Sequence, residues 1–183
     1  MIWVLVAGVA IWSLAHFFKR MMPQRRAGMG NAGKGIVAIG ILVGLGLMIW
    51  GYRGAAFVPL WYPPDYMVHI NNLLMLIAVF VYGMSATTGR LRGKMRHPQL
   101  TAVVIWAVAH LLVNGDVAAL VLFGGLLLWA VAEMIVINRA EPVWDRPPPG
   151  NPKKDILLVV ITIVMFGVIT AIHAWLGVWP FPR

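Results

Sequence analysis

A 183-residue chain that is 61% hydrophobic and 11% charged, with a mean hydropathy of +0.82, has too little polar surface for a soluble domain and reads as an integral membrane protein. Its net charge of +9 lies in loops between apolar blocks, where it sets topology and argues against a nucleic-acid partner. The absence of cysteine excludes disulfides and thiolate-bound metals, leaving His, Met, carboxylates and backbone groups to hold any metal or cofactor.

Six apolar blocks follow one another: Ile2–Phe18, Ile36–Tyr52, Met67–Met84, Leu100–Val113, Val117–Asn138 and Ile156–Leu176. A helix needs about 20 residues to cross ~30 Å of hydrocarbon, so each block reads as a transmembrane helix. The fourth reaches full length only by starting near Pro98, where a first-turn proline has no helical amide bond to lose. The blocks are continuously apolar and lack the alternation of a membrane barrel, which is thereby excluded. The expected fold is therefore all-α, a polytopic membrane bundle of six transmembrane helices. Residues 1–138 form a five-helix membrane core, 139–155 a Pro-rich cytoplasmic connector, and 156–183 the sixth helix and tail.

The first block has no positive segment ahead of it, so it reads as a retained helix and not a cleaved signal. Lys19, Arg20, Arg25, Arg26 and Lys34 follow it; Arg90, Arg92, Lys94 and Arg96 follow the third; Arg139, Arg146, Lys153 and Lys154 follow the fifth. The even-numbered loops hold only Arg53. The positive-inside rule then places the three basic loops in the cytoplasm, near anionic headgroups, and both termini outside.

Along the first helix Trp12, His16 and Arg20 recur every four residues and share a face, with Ser13 beside His16. His16 reads either as an interfacial anchor or as a cofactor-binding group. The Met21–Gly33 loop either prolongs the first helix or is flexible. In the second helix Gly40, Gly44 and Gly46 open a close-packing surface. Trp50, Tyr52 and the segment from Trp61 to Asp65 supply an outer aromatic belt. His69, Asn71 and Asn72 cluster at the start of the third helix, where cross-helix hydrogen bonding is the simplest reading.

The fourth helix repeats the first: Trp106, His110 and Asn114 again recur every four residues. His97 sits at its cytoplasmic boundary, whereas His110, ten residues from the start of the block, lies near mid-membrane. An ionisable group there is a functional candidate by default. Asn114-Gly115-Asp116 reads as a tight turn, with Gly115 stopping one helix and Asp116 capping the next. Gly124-Gly125 suggests another close approach, and Glu133 a carboxylate snorkelling toward Arg139. Pro147–Pro149 and Pro152 form a stiff connector that sets the last helix apart, and His173 and Trp175 end that helix near the outer surface. No internal repeat, carboxylate pair, Ser-His-Asp order or phosphate loop is present, so conventional hydrolysis and the inverted-repeat transporter folds find no support.

The string Arg96-His97-Pro98-Gln99-Leu100, then Ala109-His110-Leu111-Leu112-Val113-Asn114-Gly115-Asp116, then Leu122-Phe123-Gly124-Gly125, resembles the NnrU family of bacterial membrane proteins. Ala15-His16, and Pro59-Leu60-Trp61 with His69, resemble it as well. The resemblance spans roughly residues 12–139. It implies a multi-pass protein of the bacterial inner membrane, linked to nitrite and nitric oxide reduction, with a denitrification-related membrane partner. The family is also similar to zeta-carotene isomerase, a membrane enzyme with a b-type haem held between two histidines. That similarity implies haem b on His16 and His110, with Trp106, Asn114, Trp12 and Ser13 as residues around them. Helix depth sets His16 nearer the cytoplasm than His110 by roughly 10 Å at ~1.5 Å per residue, so His69 and His173, both toward the outer half, are the substitute ligands. A lipophilic polyene substrate and haem-dependent cis-trans isomerisation are implied with it. The isomerase carries a cysteine one turn before the second histidine, and the matching residue here is Ala107. The alternative is a non-catalytic accessory factor for expression or assembly of nitrite and nitric oxide reductases.

Overall fold

The structure is a computed structural model that describes residues 1–182. Within them the chain is helical, without named strands: α1 (Ile2–Met21), α2 (Pro23–Gly28), α3 (Gly30–Arg53), α4 (Met67–Gly83), α5 (Pro98–Leu111), α6 (Val117–Ala140) and α7 (Lys153–Trp175). A 3-10 turn at Leu91–Lys94 leads into α5, and α6 contains a π turn at Leu120–Gly124. Four helices, α1, α3, α6 and α7, are long and apolar enough to cross a membrane. Four of the six expected spans meet that measure, and the other two, α4 and α5, are shorter apolar helices. At 17 and 14 residues, α4 and α5 rise only about 25 and 21 Å at ~1.5 Å per residue.

Helix limits follow local chemistry. Met21–Gly33 is not an open loop: α1 runs to Met21, α2 starts on Pro23 at its first position, and Gly30, with φ +52°, supplies the left-handed turn into α3. Pro98 occupies the first turn of α5, as its ring allows. The Pro-rich run at 147–149 has no regular structure, and helix resumes at Lys153.

The chain divides into two compact units. Residues 1–62 and 114–142 form the first, built on α1, α3 and α6. Here α1 and α3 run antiparallel at backbone contact. A Cβ at Gly8 would lie 2.7 Å from the Met48 amide nitrogen, one at Gly44 2.8 Å from that of Trp12, and one at Gly51 2.5 Å from that of Leu5. Gly44 thus belongs to the close-packing surface expected of α3, whereas Gly46 faces open space. On the other side of α1, Val9 fills the space over Gly125, so α6 runs parallel to α1. The start of α6 is clamped. Asp116 Oδ1 accepts the Ala119 amide at 3.1 Å, and the Gly115 carbonyl accepts the amides of Leu60 and Trp61 at 2.7 and 3.1 Å. Gly115 does not have a positive φ. It is needed because any Cβ would collide with the Trp61 carbonyl.

Residues 63–113 and 143–182 form the described part of the second unit, built on α4, α5 and α7. The last helix does not stand apart within it. Leu158 is fully buried with Val81, Met84 and Ala102, and the Asn72 side chain at the far end of α4 donates to the Pro180 carbonyl at 3.0 Å. The outward faces of α7 and α3 carry exposed Val, Ile and Leu, as lipid-facing surfaces do.

Candidate functional site

In the first unit, α1 turns Trp12, His16 and Arg20 toward Trp129 and Glu133 of α6. Both sets are spaced four residues apart, so parallel helices bring two matching stripes together. The His16 ring lies between two indoles, with centroids 4.5 Å from Trp12 and 4.7 Å from Trp129, and the indoles meet edge to face at 5.7 Å. His16 Nδ1 is 2.8 Å from the Trp12 carbonyl. A carbonyl only accepts, so Nδ1 carries the proton of the neutral ring, and Nε2 keeps the lone pair that a metal requires. Ser13, expected beside His16, spends its hydroxyl on the Val9 carbonyl at 2.7 Å.

Three polar atoms in this cluster are buried without a hydrogen-bond partner: Trp12 Nε1, Trp129 Nε1 and Glu133 Oε2. Two donors and an acceptor are thus left on these neighbouring turns of α1 and α6 with hydrogen-bonding capacity for a polar group. Glu133 is not a snorkelling partner of Arg139. It is 6% exposed and its other oxygen lies 4.0 Å from Arg20, which also binds Glu141 at 2.5 Å. Trp129 escaped the sequence reading altogether. The available signal was the Trp-x-x-x-Glu spacing in α6, the counterpart of Trp12, His16 and Arg20 in α1.

In the second unit α5 builds the same local device. His110 Nδ1 is 2.9 Å from the Trp106 carbonyl and the two rings are 5.1 Å apart, so Nε2 is again the unprotonated nitrogen. His173 of α7 bonds the Ile169 carbonyl at 2.8 Å in the same fashion. His69 is exposed on α4, and His97 occupies the N-cap position of α5 without a side-chain bond to its first amides. Asn114 falls in the first unit, at the turn before α6. Ala107 is fully buried. Among the described residues no three of His, Cys, Asp or Glu converge on a point.

The residues present fit imidazole ligation: His16 and His110 each stand one helical turn after a tryptophan, oriented by its carbonyl through the second ring nitrogen. The family model described as NnrU protein matches residues 4–180 of the chain. No curated protein and no solved structure matches it.

Proposed function

The chain belongs to the NnrU family, and we propose that within it this protein is a multi-pass membrane haem protein of the bacterial inner membrane, with His16 and His110 as the ligands of a b-type haem. The observation that carries the reading is the repeated Trp-x-x-x-His turn on α1 and α5, with Nδ1 tied to the tryptophan carbonyl in both. When bound, a b-type haem supplies a reversible one-electron iron centre suited to isomerising a lipophilic polyene or to nitrogen-oxide metabolism. The protein's own part is to fix two imidazoles and to wall one of them with Trp12 and Trp129. In the first unit the indole N–H groups of Trp12 and Trp129 are donors for a polar substituent of the bound group.

Six spans with both termini outside are part of the same proposal. The parallel course of α1 and α6, and the antiparallel course of α1 against α3 and of α4 against α7, support it within each unit. For α4 and α5 to span, flanking residues must complete the crossing or the bilayer must thin locally.

The test is an absorption spectrum of detergent-purified protein from haem-replete cells, oxidised and then dithionite-reduced, beside His16→Ala and His110→Ala. A Soret band with sharp reduced bands, lost or converted to a high-spin form in both variants, is expected. Colourless folded protein would overturn the reading and favour the accessory factor. A spectrum insensitive to His16→Ala would move that ligand to His69 or His173.

A further inference from the structure

In the second unit the 3-10 turn at Leu91–Lys94 and the Pro147–Pro149 run enclose a cleft of about 390 Å³, within the roughly 300–1,000 Å³ of small-molecule sites. Its charged lining is wholly cationic: Arg90, Lys94 and Arg146. The walls are tied together. Arg146 Nε donates to the Gly93 carbonyl at 2.5 Å, a Cβ at Gly93 would stand 2.7 Å from the Pro147 carbonyl oxygen, and the Asn151 amide bonds the Thr88 carbonyl at 3.2 Å. Asp155 accepts the backbone amides of Arg90 and Leu91 at 3.1 and 3.2 Å, and both it and Asp145, the chain neighbour of Arg146, lie outside the lining. Three stiff prolines and two bonded walls therefore hold three cations around one concavity.

The cleft lies where α4 ends and α5 and α7 begin, the end of the second unit at which three apolar helices stop. A second cleft, of about 160 Å³, shares Pro147 and adds Met95 and Trp144 with Arg92 and Arg96. Cations beside apolar and aromatic side chains at a helix boundary match a phosphate whose ester continues into hydrocarbon.

We propose that this cleft binds the phosphate of an anionic phospholipid headgroup, with Arg90, Lys94 and Arg146 on the phosphate and Met95 and Trp144 beside the glycerol. The experiment is native mass spectrometry of the detergent-purified full chain titrated with dioleoylphosphatidylglycerol, with dioleoylphosphatidylcholine, and with phosphatidylglycerol in competition with inorganic phosphate. Phosphatidylglycerol should bind and phosphatidylcholine should not. Arg90→Gln/Lys94→Gln keeps the Arg146 bond to Gly93 and should bind roughly tenfold to thirtyfold more weakly, at about a decade or less per removed charge. Lys19→Gln/Arg25→Gln, which removes two cations in the first unit, should bind as the parent does. Equal losses in the two double variants, or equal binding of the two lipids, would overturn the proposal in favour of diffuse surface charge. Displacement by low-millimolar inorganic phosphate would overturn it in favour of a soluble phosphate ligand.

Discussion

Removing the Arg20 guanidinium should strand the Glu133 carboxylate inside the first unit. The pair is separated by 4.0 Å, with the Glu133 side chain 9% and the Arg20 side chain 23% exposed. Coulomb's law at that separation gives about 4 kcal/mol for an effective dielectric of ~20. Arg20 is partly solvated and shared with Glu141, whose side chain is 58% exposed. We therefore expect about half that value, ~2 kcal/mol, to be lost in Arg20→Met. Glu141→Gln should cost less than ~1 kcal/mol, because its pair is largely in water. Glu133→Gln keeps the shape of the side chain and removes its charge, so Arg20→Met/Glu133→Gln should recover most of the loss. The assay is a double-mutant cycle on reversible unfolding in mixed micelles, followed by helical circular dichroism. A coupling below ~0.5 kcal/mol would refute the dependence of the buried carboxylate on Arg20, as would an Arg20→Met loss no larger than that of Glu141→Gln.

Other expectations concern the frame around the site. Gly44→Val drives a side chain against the Trp12 backbone and should cost ~3 kcal/mol or more, whereas Gly46→Ala, in open space, should be neutral or gain up to ~1 kcal/mol from helix propensity; the same unfolding assay separates them. Asp116→Ala removes the cap on Ala119 and should cost about 1 kcal/mol, with Asp116→Asn close to the parent. Asp155→Ala frees the amides of Arg90 and Leu91, and hydrogen exchange should speed up at those two positions while the middle of α7 keeps its protection.

The helices themselves were legible because apolar blocks of near-spanning length leave few alternatives. Their ends were less so: the basic residues after α1 sit comfortably in helix, and α3 begins six residues before its apolar block, at Gly30 instead of Ile36. Gly44 was legible as a packing residue, but its spacing to Gly46 did not reveal that the latter points elsewhere. The Asp116 cap was correctly read from residue type. The role of Gly115 was not, since it depends on Trp61 approaching from a distant loop. His16 and His110 could be singled out as ionisable groups in apolar runs. Their setting was half visible: Trp12 and Trp106 lie one turn away on the same helix, whereas Trp129 and Glu133 reach His16 and Arg20 from α6. The π turn at Leu120–Gly124 adds to that difficulty, because widening one turn shifts the face on which every later residue falls. The prolines suggest a last helix set apart, yet Leu158 is buried against α4 and α5 and the Asn151 amide ties the connector to the Thr88 carbonyl, contacts that no local sequence signal carries.

The most direct test of bis-histidine ligation is electron paramagnetic resonance of the oxidised, haem-loaded protein, compared with His16→Gly and His110→Gly before and after adding imidazole. Ligation by these two residues predicts a low-spin signal in the parent, a high-spin signal in each variant, and return to low spin when imidazole fills the cavity. A low-spin signal that survives either substitution without imidazole would contradict it.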